Sequence, residues 1–186
     1  MIAALDVRQL KFIDESGVNL AMTRLYGRAP TGERVVGSVP QNYGQHITIL
    51  GALSVHGVDA VMTVEGAMDA TVFRTYIKEV LGPTLSPGDI VVMDNLGAHK
   101  ATGIQQMLAR RRVCLRYLPP YSPDLSPIEL CWSKLKTGLR TAKARTRAVL
   151  EPVIAQVLTT ITAADARGWF HHCGYTLHQF ANRSRH

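Results

Sequence analysis

Asp89-Ile90-Val91-Val92-Met93-Asp94 is the stretch on which the architecture turns. Its apolar run reads as a buried strand that ends at an acid. Upstream, residues 69–81 carry Val72, Phe73, Tyr76, Ile77 and Val80 at helical spacing, and Pro83, Pro87 and Gly88 stop that helix. Downstream come a helix from about Ala101 to Arg111, a strand over 113–118 and a proline-rich loop over 119–127. A further helix begins near Pro127, since proline is tolerated in a first helical turn. The chain then reads as helical from Ile128 to about Ala166, with a break near Thr146. Ahead of all this, residues 46–54 and 57–64 form a β-hairpin pattern, and residues 10–15 (LKFIDE) a short buried strand with an acid near its end. Residues 21–26 read as a second strand, followed by the turn-rich Gly27-Arg28-Ala29-Pro30-Thr31-Gly32. An antiparallel meander followed by helix, strand, helix, strand, helix implies one mixed α/β sheet covered by helices.

The 186 residues suit one ordinary domain with a small helical extension, and a hydrophobic content of 46% is ample for a core. Three cysteines without close pairing, and no signal-like start, point to a reducing cytoplasmic setting. No run approaches the roughly 20 apolar residues of a membrane span. Lys and Arg outnumber Asp and Glu by 21 to 14, a net charge of +7 that suits a polyanion partner. From Arg110 to Arg147, ten basic residues surround only two acids, Asp124 and Glu129.

Three acids stand out by position: Asp14 near a strand end, Asp94 directly after the apolar run, and Glu129 in a first helical turn. Each alone has a plainer reading, respectively a strand end entering solvent, a turn or helix cap, and a dipole partner. If they converge, they repel one another unless a cation sits between them. Mg2+ takes such oxygen ligands, and two ions about 3.5–4 Å apart serve phosphodiester chemistry.

At these residues the chain resembles a known family. Phe12-Ile13-Asp14-Glu15-Ser16, Asp94-Asn95-Leu96-Gly97-Ala98-His99-Lys100 and Tyr117-Leu118-Pro119-Pro120-Tyr121-Ser122-Pro123-Asp124-Leu125-Ser126-Pro127-Ile128-Glu129 look like the three signature blocks of the IS630/Tc1/mariner transposase superfamily. Thirty-four residues separate Asp94 from Glu129, the spacing of the DD34E arrangement. Leu25-Tyr26-Gly27-Arg28-Ala29-Pro30 and Cys131-Trp132-Ser133-Lys134-Leu135-Lys136 are similar to the bacterial IS630 branch. The resemblance covers roughly residues 10–143. It implies an RNase H-like fold, a mixed five-stranded sheet flanked by helices. Residues 1–145 would be the DDE catalytic domain, and 146–186 a C-terminal helical extension of it. It implies that Asp14, Asp94 and Glu129 jointly bind two Mg2+ or Mn2+ ions. The implied reaction is metal-dependent cleavage of transposon-end phosphodiesters and strand transfer into target DNA. Further implied are a TA-type target, a homodimer within a transpososome, and a place at the bacterial nucleoid.

Neighbouring residues are candidates for DNA contact: Asn95, His99 and Lys100 past the second acid, and Lys134, Lys136, Arg140 and Lys143 as a stripe on the last helix. Ser122 and Asp124 read as loop-shaping residues, and Trp132, one turn after Glu129, as packing beneath the site. His171-His172-Cys173 invites a zinc reading, but no matching second ligand pair exists in the sequence. Family members carry helix-turn-helix modules ahead of the first Asp, whereas 13 residues precede Asp14 here. The expectation is a catalytic half alone, working with an upstream helix-turn-helix product if the reading frame is split. Two other readings stay open. One is a non-catalytic DNA-binding fragment that regulates a full-length transposase. The other is an RNase H-like nuclease or resolvase, which shares the carboxylates but not the block from Ser122 to Glu129.

Overall fold

The computed structural model describes residues 6–95 and 103–176. The sheet is built around β1 (Leu10–Asn19), whose alternate side chains enter two different cores: Leu10, Phe12 and Val18 on one face, Ile13 on the other. A strand apolar on both faces must be covered on both, and β1 is accordingly central. The strand order is β3-β2-β1-β4-β5. β2 (His46–Ser54) and β3 (Gly57–Glu65) make the antiparallel half with β1. β4 (Ile90–Met93) and β5 (Cys114–Tyr117) add in parallel on its other side. This is the mixed five-stranded sheet expected from the sequence.

One face carries α1 (Ala70–Thr75), which runs on as a wider π turn over Tyr76–Leu81, and α2 (Ile104–Arg110). Asp69 caps α1 by accepting the N–H groups of Thr71 and Val72. Phe73, Tyr76, Leu81 and Leu108 pack there against Ile13, Leu50 and Val91. The opposite face carries α3 (Pro127–Ala142), α4 (Arg147–Thr159) and α5 (Ala163–His172). Leu135, Leu139, Ile154 and Phe170 close over Phe12, Ile49 and Val92. Phe170 meets Phe12 edge-on with ring centres 5.3 Å apart, which locks α5 to the central strand. Fully burying one such ring contributes about 1.5–3 kcal/mol.

The structure departs from the sequence reading in three places. Residues 21–26 are not a strand: β1 itself runs on to Asn19, paired to His46, and takes up all of β2. The chain then turns, with Ala21 N–H donating to the Asn19 side chain, and Leu25 and Tyr26 stand 67% and 89% exposed. A strand needs a neighbour for its backbone groups, and β2 offers none beyond His46, its first residue. The long C-terminal helix breaks twice, at Lys143–Thr146 as expected and again before α5. There Thr162 and Asp165 form a capping box, each side chain satisfying the other's backbone. Helix also continues past Ala166, to His172. The expected start of the second helix at Ala101 lies outside the described residues, which enter that helix at Ile104. No single helix among the described residues is long and apolar enough to cross a membrane.

Candidate active site

Strand parity sets the first two acids. Leu10, Phe12 and Val18 face α3, so Asp14, two residues beyond Phe12, belongs to the same side. Ile90 and Val92 on β4 face that side too, which gives it to Asp94. The two strands are parallel, with Phe12 beside Val92 and Ile13 beside Met93. The next step of that register puts Asp14 beside Asp94, which lies just past the carboxyl end of β4. Asp14 itself is not near a strand end, as the sequence suggested, but midway along β1, which runs on to Asn19. Glu129 arrives from α3, whose buried stripe of Ile128, Cys131, Trp132, Leu135 and Leu139 fixes the helix's rotation on the sheet. The loop before it is tethered at both ends. Leu118 N–H donates to the Met93 carbonyl (2.9 Å), and the Leu125 carbonyl accepts the Tyr175 hydroxyl (2.8 Å). The three acids line one cleft of about 380 Å3, walled by Pro119 to Pro123.

Asp14 is the most perturbed acid. Burial pushes its carboxyl up to about 7, helped by repulsion from Glu15 and Glu129. Two hydrogen bonds oppose this: the Glu15 backbone N–H, and the indole of Trp132, whose Nε1–H donates to Asp14 Oδ2 at 3.0 Å. Among the described residues, no three carboxylate, imidazole or thiol groups stand close enough to grip one ion as the side chains lie. That statement also covers His171, His172 and Cys173. The acids share a cleft without closing on its centre. Their chemistry nonetheless fits a hard divalent cation: the donors are all oxygen, and a cation would relieve the repulsion that raises Asp14.

The other sequence candidates separate cleanly. Asn95 lines the cleft and is exposed, while His99 and Lys100 lie outside the described residues. Lys134 does not join the stripe. Its ammonium donates to the Thr160 carbonyl (2.9 Å) and to Asp165 Oδ2 (2.7 Å), clipping α3 to α5 and holding the Asp165 carboxyl down at about 2. At 3.6 residues per turn it points about 140° away from Glu129, whereas Lys136, Arg140 and Lys143 fall within about 40° of it. Lys136 and Arg140 are half-buried, and Lys143 is exposed at the helix end with a left-handed φ of 53°. Ser122 Oγ donates to the Pro120 carbonyl at 3.4 Å, in keeping with a loop-shaping role. Two features of the site escape a reading by motif. Tyr121 stands fully exposed at the cleft with a φ of 57°, a conformation that costs a bulky residue energy. Gly51, paired with Asp14 across β1 and β2, lies under the Trp132 ring. The signal that could have found it is a glycine inside a strand, which marks close approach.

Residues 9–151 match the family described as DDE superfamily endonuclease. The Tcb2 transposase of Caenorhabditis briggsae is 28% identical over 143 residues, covering 72% of this chain and 52% of the relative. The solved Mos1 transposase paired-end complex with left transposon end superposes with a TM-score of 0.73 at 14% identity, over 90% of this chain and 52% of that one. The Mos1 mariner paired-end complex with Mn gives 0.70 at 13%, over 92% and 53%. At these identities the structures establish the fold, which is RNase H-like. The chain spans about half the length of the curated relatives it matches, or less.

Proposed function

Since the chain belongs to the DDE superfamily endonuclease family, we propose that it is the catalytic domain of a Tc1/mariner-type transposase, cutting phosphodiesters at transposon ends and joining the freed 3′ ends to target DNA. The observation that carries this is the meeting of Asp14, Asp94 and Glu129 in one cleft, from a central strand, its parallel neighbour and a helix far along the chain. Jointly these carboxylates would hold two Mg2+ or Mn2+ ions; one solved relative is a complex with Mn. Bound there, such ions supply activation of the attacking oxygen and neutralisation of charge on the leaving one.

In the first step a water oxygen bonds to phosphorus as the P–O3′ bond breaks, leaving a 3′-hydroxyl and a 5′-phosphate. In the second that 3′-hydroxyl attacks a target phosphodiester, so one P–O bond forms for each broken. The chain's own contribution is placement. Asp14 stands within the central strand, Asp94 just past the end of its parallel neighbour, and Glu129 on a helix planted by six buried side chains, which keeps their relative positions fixed. Lys136, Arg140 and Lys143 run along α3 from Glu129 and would take phosphates flanking the cut, with Asn95 at the cleft itself. The exposed ring of Tyr121 offers a face on which an unstacked base can lie. A TA-type target, a pair of protomers each cutting one end, and the IS630 branch suggested by Leu25–Pro30 and Cys131–Lys136 complete the proposal.

The test needs no end-specific reader: nicking of supercoiled plasmid by the full chain in Mg2+ or Mn2+. The wild type should nick and EDTA should stop it, while Asp94→Ala and Glu129→Ala should fall to background with the fold retained. Nicking by Asp94→Ala at the wild-type rate would overturn the assignment.

A further inference from the structure

Trp132 does more than fill space beneath the cleft. It is 3% exposed, and its indole is donor-only, so a buried Nε1–H must find an acceptor or forfeit a hydrogen bond. The acceptor it has is Asp14 Oδ2, at 3.0 Å. The ring reaches that oxygen by lying across β2 at Gly51, the residue paired with Asp14. A Cβ there would stand 2.6 Å from Trp132 Cη2, closer than packed atoms approach, and a tight 3.3 Å from Cζ2. Both atoms belong to a rigid ring, already packed in the core, that has no flexible end to move aside. Sheet and helix therefore shape one device: a gap on β2, an indole from α3 seated in it, and a carboxylate on β1 held by the indole.

We propose that Trp132 is the positioning residue for Asp14, fixing the orientation of its carboxylate and tying it to the helix that carries Glu129, with Gly51 as the space this requires. An aspartate side chain rotates about two bonds, and a single fixed donor removes most of that freedom. Glu129 lies one turn from Trp132, so the rotation of α3 that aims Glu129 also aims Asp14. Partners of this kind behind metal-binding carboxylates typically change metal affinity by about 10–100-fold. The inference rests on the reading of Asp14 as a metal ligand, and the test separates the two.

The full chain, labelled with 15N, has two tryptophans and so two indole N–H signals. The signal missing from Trp132→Phe identifies Trp132. Asp14→Ala should move that signal, because the hydrogen bond is lost, and leave the Trp169 signal in place. Mn2+ titrated calorimetrically should bind Trp132→Phe about tenfold or more weakly than wild type, although the phenyl ring preserves most of the packing. Gly51→Ala should weaken Mn2+ similarly by displacing the indole, yet add little in the Trp132→Phe background, where the shorter ring leaves room. If Trp132→Phe does not fold, Trp169→Phe supplies the assignment by elimination, and Gly51→Ala and the Asp14→Ala spectrum decide. An unmoved indole signal in Asp14→Ala overturns the proposal. So does wild-type Mn2+ affinity in Trp132→Phe or Gly51→Ala while Asp14→Ala binds poorly. Wild-type Mn2+ affinity in Asp14→Ala itself would instead sink the metal reading.

Discussion

Asp14 carries a cost that the fold bears in the absence of cations. In the unfolded chain an aspartate releases its proton near 4, whereas burial and two neighbouring carboxylates keep the folded one protonated up to about 7. Between those values the folded state binds more protons than the unfolded state, so stability falls as pH rises from about 4 to about 7 and then levels off. Asp14→Asn keeps an oxygen for the Trp132 N–H and removes the charge. Urea denaturation should show the variant matching wild type near pH 4 and exceeding it at pH 8, on the order of a few kcal/mol. Parallel curves for the two proteins across that range would remove Asp14 as the source of strain. The same residue shows how far sequence reaches at this scale. The apolar run before Asp94 marks a costly carboxylate, and Trp132 is visibly one turn from Glu129. The 3.0 Å bond from Trp132 to Asp14 is not legible, because it joins residues 118 positions apart through a helix rotation fixed only by packing.

At the scale of elements, α3 does two separate jobs on two faces. Its Lys134 side clips α5 through Asp165, while its Lys136 and Arg140 side runs from Glu129 toward solvent. A salt series by fluorescence anisotropy on duplex DNA should distinguish them. Lys136→Ala and Arg140→Ala should each shallow the dependence of log K on log salt by about 0.9. Lys134→Ala should leave that slope alone and lower stability by no more than about 1 kcal/mol, since the pair is partly solvated. An equal loss of slope in Lys134→Ala would contradict the division of faces. The sequence places all four cations on one helix, and resolving them needs the helix's orientation. Element order was legible from hydrophobic period alone, from the hairpin at 46–64 to the helix at Pro127. Residues 21–26 misled because Leu25 and Tyr26 carry strand-like chemistry, yet β2 starts at His46, already paired with Asn19, and offers the segment no partner. Thr162-Ala163-Ala164-Asp165 was the unread signal for the second helix break, a capping box with Asp in place of Glu.

Across the whole molecule, a net charge of +7 surrounds a cleft lined by three acids. The basic exterior favours a phosphate backbone at any sequence, and the acidic cleft accepts that backbone only with cations alongside. The working of the cleft therefore depends on where a divalent ion sits. Anomalous diffraction from crystals of the full chain soaked in Mn2+ shows this directly. A manganese peak is expected in the cleft, ligated by oxygens of Asp14, Asp94 and Glu129 and absent from the Asp14→Ala/Asp94→Ala/Glu129→Ala variant. A peak ligated by other residues, or no peak in the cleft at Mn2+ concentrations that support plasmid nicking, would contradict that placement.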